Sequence, residues 1–188
     1  ALIGAEITSV EGCRYPLLAE NRAGYRNLCR LITKMKLRAK KGEAAATPED
    51  LEEHAAGLIC LTGGDEGPLA LALGNSLEEG RRCVERLVSI FGKGNVYAEL
   101  QRHYDRAEEA RNQAVAELGL PLVATNGVSH ARVEQRELLD VLTCVRHKIT
   151  IYEAGRLLAK NSERHLKTPD AMKRLFADLP EAIHNAEG

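Results

Sequence analysis

Short apolar runs alternate along this chain with longer segments in which apolar residues recur at the spacing of one helix face. The apolar runs, each predicted to be a strand, cover residues 2–9, 15–19, 57–61, 96–100 and 120–125. Helices are predicted to begin near Asn21, at Thr47 and at Ser76, and to cover residues 104–118 and 134–147. Because parallel strands need helical crossovers, this alternation predicts an α/β fold with parallel strands.

No strand pattern occurs after about residue 150. The remaining apolar residues have helical spacing, which predicts helices over residues 153–160, over 168–176 with Thr168 as the cap, and from Leu179 onward. We therefore predict an α/β domain over residues 1–150, followed by a helical connection over residues 151–188.

Composition narrows the function classes without choosing among them. The 188 residues include 26 basic and 27 acidic side chains, a formal net charge of -1, so any DNA contact must come from a local patch. Five cysteines without a Cys-x-x-Cys pair favour reduced thiols in a cytoplasmic protein. No apolar run approaches the roughly 20 residues of a membrane span, so no membrane partner is expected.

Two side chains near predicted strand ends have the chemistry of metal ligands. Glu6 lies on the first strand and His103 follows the strand at 96–100. A carboxylate and an imidazole can share a divalent ion, but hydrolytic zinc centres use three protein ligands and a water. A purely structural role therefore stays open for both residues, and His130 is open to interpretation as a ligand or as a polar loop residue.

The end of the predicted first helix and the residues directly after it are strongly basic. Its cations are Lys34, Lys36, Arg38, Lys40 and Lys41. Such a run is either a solvated face or a surface that contacts nucleic-acid phosphates, and these five side chains are the DNA-binding candidates. No catalytic residue is assigned, because the chain has no P-loop, no Gly-x-Ser-x-Gly motif and no Cys–His pairing.

Several motifs, in order along the chain, resemble the PHP (polymerase and histidinol phosphatase) domain of bacterial DNA polymerase III alpha subunits. They are Gly4-Ala-Glu-Ile7, Leu17-Leu-Ala-Glu-Asn-Arg-Ala-Gly-Tyr-Arg-Asn-Leu28, Gly57-Leu-Ile-Cys-Leu-Thr-Gly-Gly64, Glu99-Leu-Gln-Arg-His103, Leu122-Val-Ala-Thr-Asn126, Leu138-Leu-Asp-Val-Leu-Thr-Cys144 and Leu175-Phe-Ala-Asp-Leu-Pro-Glu-Ala182. The His-Ala pair at 130–131 after Asn126-Gly-Val is closer to the error-prone branch than to the replicative one. The resemblance covers essentially the whole chain.

The resemblance implies a distorted (β/α)7 barrel whose strand tips can hold up to three metal ions. The barrel is expected to be partial, since the family's His-x-His and Asp-His motifs would precede the first residue. Glu6 matches the carboxylate ligand of the family and His103 matches the histidine of its Glu-Leu-Gln-x-His motif. Arg14 replaces a ligand histidine, and Gly127 and Ser129 replace an Asp-x-His. An arginine at that position repels cations and could pair with Glu6.

Three functional hypotheses follow from the resemblance. The favoured one is the PHP region of an error-prone DNA polymerase, with a degenerate metal site, no cofactor of its own and no activity alone. Its partners are then the remainder of the polymerase chain and DNA, and the parent uses magnesium for synthesis in replication and repair. The alternative is a metal-dependent phosphoesterase or 3′–5′ exonuclease, with zinc or manganese at Glu6 and His103. A freestanding interaction module is the third.

Overall fold

The computed structural model describes residues 2–187 of the chain. Its strands are β1 (Gly4–Thr8), β2 (Arg14–Ala19), β3 (Leu58–Leu61), β4 (Val96–Leu100) and β5 (Leu122–Ala124). Its helices are α1 (Arg22–Arg38), α2 (Pro48–His54), α3 (Pro68–Asn75), α4 (Leu77–Phe91), α5 (Arg106–Ala116), α6 (Arg136–His147), α7 (Ile151–Ala154), α8 (Pro169–Leu175) and α9 (Pro180–His184). Two 3-10 turns cover Val133–Gln135 and Gly155–Leu157.

The predicted strands are all present within a few residues of their predicted bounds, which confirms the α/β class. One helix is additional to the predicted ones and one predicted helix is wrong. α3 was not predicted, because Gly67 precedes it without a side-chain cap. The predicted helix over 153–160 is wrong, since the α-helix ends at Ala154 and Gly155 adopts a φ of 47°, which a right-handed helix cannot continue.

The five strands form one sheet in the order β1-β2-β3-β4-β5. β1 pairs antiparallel with β2, β2 pairs antiparallel with β3, and β3 pairs parallel with β4. The expectation of parallel strands is therefore wrong for the first two pairings. A tight turn joins β1 to β2, with the Ser9 N–H donating to the Cys13 carbonyl at 2.9 Å, and so short a link cannot hold a crossover helix. The seven-stranded barrel stays a prediction.

α1 packs closely against the loop that precedes β3. A Cβ added to Gly24 would lie 1.7 Å from the carbonyl oxygen of Gly57, so only glycine permits this approach. The same helix buries Leu28, Leu31 and Met35 toward the sheet. The helix is thereby held by apolar burial on one side, and its opposite side faces solvent.

The chain divides into two compact units. Unit 1 comprises residues up to Leu100 together with 111–123, and unit 2 comprises Gln101–Ala110 together with the residues from Ala124 onward. This division of the chain does not test the predicted domain boundary near residue 150, which stays a prediction.

All five cysteines are free, and Cys29 is exposed whereas the other four are buried. Among the described residues no helix is both long and apolar enough to cross a bilayer.

Candidate functional site

Glu6 and Arg14 are brought together by the antiparallel pairing of β1 with β2. The Arg14 guanidinium lies 3.1 Å from the Glu6 carboxylate, as predicted, and 3.0 Å from the carboxylate of Glu66. All three side chains are more than a third exposed, so these ion pairs add little to stability. Their effect is electrostatic: a fixed positive charge lies between two carboxylates.

The loop between β3 and α3 places the second of these carboxylates. The backbone N–H of Arg14 donates to the Glu66 carbonyl at 2.8 Å, which joins the start of β2 to this loop. Gly63 has a φ of 76°, and a Cβ there would lie 2.8 Å from the Cα of Gly67. The glycines thus allow a tight loop that presents Glu66 beside Arg14, a contact with no sequence signal of its own.

His103 lies in unit 2, is 5% exposed, and has a polar partner at each ring nitrogen. Its Nδ1 lies 2.7 Å from Glu108 Oε1, and its Nε2 lies 3.0 Å from the carbonyl oxygen of Asn126. A carbonyl only accepts, so Nε2 donates its proton there. Whichever partner carries the proton between Nδ1 and Glu108, no ring lone pair is left for a metal. As arranged, His103 does not fit the role of a metal ligand.

The positions where the resemblance implies an Asp-x-His are also filled differently. Gly127 has a φ of 47°, and a Cβ added to it would lie 2.6 Å from both Arg164 Nη1 and Gln101 Oε1. A guanidinium therefore occupies the space that an acidic side chain at 127 would need. Ser129 Oγ lies 3.3 Å from His130 Nδ1, and His130 Nε2 lies 3.2 Å from the Ser162 carbonyl, so both side chains have partners within unit 2.

A network of hydrogen bonds ties His103 and Asn126 to the irregular segment at 158–168. The Asn126 amide donates to the carbonyls of Glu163 at 3.1 Å and His165 at 2.6 Å, and Asn161 donates to the His103 carbonyl at 2.6 Å. Lys167, with only 8% of its side chain exposed, pairs with the Glu163 carboxylate at 3.1 Å. This network has no signal in the sequence, because its members are polar residues far apart in the chain without periodic spacing.

The two predicted metal ligands fall in different units, Glu6 in unit 1 and His103 in unit 2. Among residues 2–187 no group of three or more His, Cys, Asp or Glu side chains is placed to hold a metal ion. Glu6 instead pairs with Arg14, and His103 has hydrogen-bond partners at both ring nitrogens. The arrangement therefore provides ion pairs and hydrogen bonds at the predicted metal-ligand positions.

The five cations of the basic segment have different surroundings. Lys34 Nζ lies 2.9 Å from Asp50 and 2.6 Å from Glu53, and Arg38 lies 2.6 Å from Asp50. The Arg38 hydrogen bond holds the pKa of the Asp50 carboxyl well below its usual range, against the opposing effect of burial. The other three cations are exposed and have no ion pair among the described residues: Lys36, Lys40 and Lys41. DNA binding by the five stays a prediction.

Known proteins are similar to this chain over nearly its whole length. The profile of the PHP domain matches residues 1–103. Error-prone DNA polymerase from Anaeromyxobacter sp. (strain K) is 40% identical over 97% of this chain and 16% of its own length. The proteins of that name from Brucella abortus and Pseudomonas syringae pv. syringae are 36% and 39% identical over 96% and 98% of this chain. The chain spans about a sixth of the length of these curated relatives, which are 16–18% covered.

Proposed function

Since this chain belongs to the PHP domain family, we propose that it is the PHP region of an error-prone DNA polymerase and acts there as a structural domain with a degenerate metal site. The observation that carries the proposal is Arg14, whose guanidinium lies 3.1 Å from Glu6 and 3.0 Å from Glu66. The arginine supplies the positive charge that these carboxylates would otherwise take from a cation. Metal-dependent hydrolysis is therefore not assigned to this chain.

Coulomb repulsion gives the proposal its physical basis. At about 4 Å, two unit positive charges repel by about 1 kcal/mol in bulk water and about 4 kcal/mol at an effective dielectric constant of 20. A divalent ion doubles this repulsion. An ion at Glu6 must therefore either tolerate Arg14 beside it or displace the guanidinium from both carboxylates.

Within unit 2, His103 and Arg164 support the same conclusion. The ring of His103 is occupied by Glu108 and the Asn126 carbonyl. Arg164 lies beside Gly127, where active family members carry an aspartate. Since a guanidinium or a hydrogen bond occupies each of these ligand positions, the residues no longer serve a metal and instead hold the fold together.

A partner surface on α6 supports a place inside a larger polypeptide. Leu138, Val141, Leu142 and Val145 follow helical spacing and are each more than half exposed, whereas Asp140 and Cys144 face inward. Contiguous exposed apolar stripes of this kind mark interaction sites. The occupant we propose is an apolar helix face of the polymerase outside this chain, because the curated relatives are about six times as long.

The activities of the whole polymerase are likewise proposed and not observed in this chain. The relatives carry the name error-prone DNA polymerase, which favours magnesium-dependent DNA synthesis during damage-tolerant replication and repair in the bacterial cytoplasm. No step of that reaction is assigned to the residues described here. The remainder of the polymerase chain and DNA are the proposed partners.

Metal analysis of the purified chain tests the proposal. After incubation with zinc or manganese and desalting, we expect well under one ion per chain and no hydrolysis of a phosphomonoester or of single-stranded DNA. Stoichiometric metal that is lost in Glu6→Gln, but retained in the matched surface variant Glu43→Gln, would contradict it. The same result would establish the alternative, a metal-dependent phosphoesterase or 3′–5′ exonuclease, for which the retained Glu6 and His103 are the supporting observation.

A further inference from the structure

The solvent-facing side of α1 carries several cations beside an exposed aromatic ring. We call this surface the basic face of α1, and it consists of Arg22, Tyr25, Arg26, Arg30 and Lys36. Its four cations are exposed and make no ion pair with any residue in 2–187. α1 itself contains no aspartate or glutamate, so no carboxylate on the helix compensates these charges.

The basic face differs from the side of α1 that lies toward α2. On that side Lys34 and Arg38 pair with Asp50, a residue that is 2% exposed, and stabilise the contact between the two helices. These cations have a structural role that accounts for them. The cations of the basic face have no such role within residues 2–187 and are available to a ligand.

Local electrostatics make the basic face unfavourable for the helix alone. Arg22, Arg26 and Arg30 succeed one another at intervals of four residues, and like charges at this spacing destabilise a helix. Arg22 also lies in the first turn, where the helix dipole disfavours a positive charge. A bound polyanion would relieve both effects at once.

The geometry of the basic face matches an extended polyanion with aromatic groups. The three arginines succeed one another about 6 Å apart along the helix axis, close to the spacing of successive phosphates in an extended single strand. Tyr25, which is 47% exposed, lies three residues after Arg22 and therefore beside it on the helix surface. Aromatic rings in positively charged surfaces stack with unpaired bases.

We infer that the basic face of α1 binds single-stranded DNA, with the arginines contacting phosphates and Tyr25 stacking on a base. The inference deepens the proposed function, because it rests on this domain working beside DNA in a polymerase. It also changes which residues are expected to contact DNA: Lys36 is shared with the basic segment, whereas Arg22, Tyr25, Arg26 and Arg30 are new.

Fluorescence anisotropy with a labelled oligothymidine tests the inference on the whole chain. We expect binding that weakens with salt. The triple variant Arg22→Gln, Arg26→Gln, Arg30→Gln should lower the affinity at least tenfold and reduce the slope of log K against log salt by about two. Tyr25→Ala should lower the affinity about fivefold or more. The matched control Arg81→Gln, Lys93→Gln, Arg146→Gln removes the same charge from exposed, unpaired positions and should have little effect.

Several outcomes would overturn the inference. These are no binding by the wild-type chain, equal losses in the two triple variants, an unchanged affinity in Tyr25→Ala, and equally strong competition by polyglutamate of the same charge. Failure here is separable from failure of the proposed function. Stoichiometric metal with intact oligonucleotide binding would remove only the structural role, and a metal-free chain that binds no oligonucleotide would remove only this inference.

Discussion

At the scale of single residues, Asp50 shows how a charged group can be buried in this fold. Its side chain is 2% exposed, yet Arg38 and Lys34 both contact its carboxylate, and the backbone N–H of Thr47 donates to it at 2.9 Å. These contacts favour the ionised form and keep its pKa low in the folded chain. Asp50 therefore joins α1 to α2 and at the same time caps α2.

We predict that Asp50→Asn lowers the free energy of unfolding at pH 7 by about 2–3 kcal/mol. A fully buried pair would lose about 3–5 kcal/mol, and the half-exposed cations here can regain water. Because the folded pKa is depressed, the contribution of Asp50 is present above the usual carboxyl pKa and is lost as the pH falls through the folded value. The difference between wild type and variant, measured by urea unfolding, should therefore shrink below about pH 4.

Glu53→Gln provides the control for this prediction. Glu53 contacts the same Lys34 but is 61% exposed, so its replacement should lower the stability far less than Asp50→Asn does. An equal loss of stability in both variants would show that burial of Asp50 is not the cause.

At the scale of elements, α1 depends on its close approach to the loop before β3. Gly24 permits that approach, since the Gly57 carbonyl oxygen occupies the place of its missing Cβ. The face of α1 opposite the solvent then buries Leu28 and Leu31. The glycine contact and the apolar stripe therefore help to set the position of α1, and with it that of the basic face.

We predict that Gly24→Ala lowers the free energy of unfolding by at least about 3 kcal/mol, at the upper end of the range for overpacking. The added methyl group meets backbone atoms, which cannot rotate away as a side chain can. Thermal and urea unfolding, followed by circular dichroism, measure the loss.

Gly74→Ala is the matched control within another helix. Nothing lies within 4 Å of a Cβ at this position of α3, so alanine should leave the stability unchanged or raise it by up to about 1 kcal/mol. A similar change in stability in both variants would show that the contact with Gly57 does not limit the position of α1.

At the scale of the whole molecule, the chain presents an exposed apolar stripe beside a well-buried interior. The stripe on α6 remains exposed, while the interior relies on residues such as Leu17, Leu87 and Phe176, each fully buried. Exposed apolar side chains contribute little to the stability of this chain, and we attribute the stripe to contacts in the parent polymerase.

We predict that Leu142→Gln combined with Val145→Gln changes the free energy of unfolding of this chain by less than about 0.5 kcal/mol, because both side chains are exposed. The same variant should bind less of an apolar fluorescent dye and self-associate less in sedimentation experiments. Leu87→Ala, by contrast, should cost about 2–5 kcal/mol. A loss in the double variant comparable to that of Leu87→Ala would contradict our assignment of the stripe.

The sequence by itself determined the local elements and the family. Apolar runs predicted each strand, because a buried strand needs consecutive apolar residues. Thr47, Ser76 and Thr168 marked helix starts correctly, because their side chains accept the N–H groups that a first turn leaves unpaired. The pairing of Arg14 with Glu6 was also predicted, since the family resemblance places both residues at metal-ligand positions, where their opposite charges attract.

Tertiary structure alone decided which strands pair antiparallel, and which polar groups meet. Strand direction depends on the path of each connection, and the tight turn before β2 gives no periodic signal. The contacts of His103 with Glu108 and Asn126, and of Arg164 with Gly127, join separate segments of the chain. Hydrogen bonds and ion pairs of this kind require atoms at fixed distances, and only the folded backbone sets those distances.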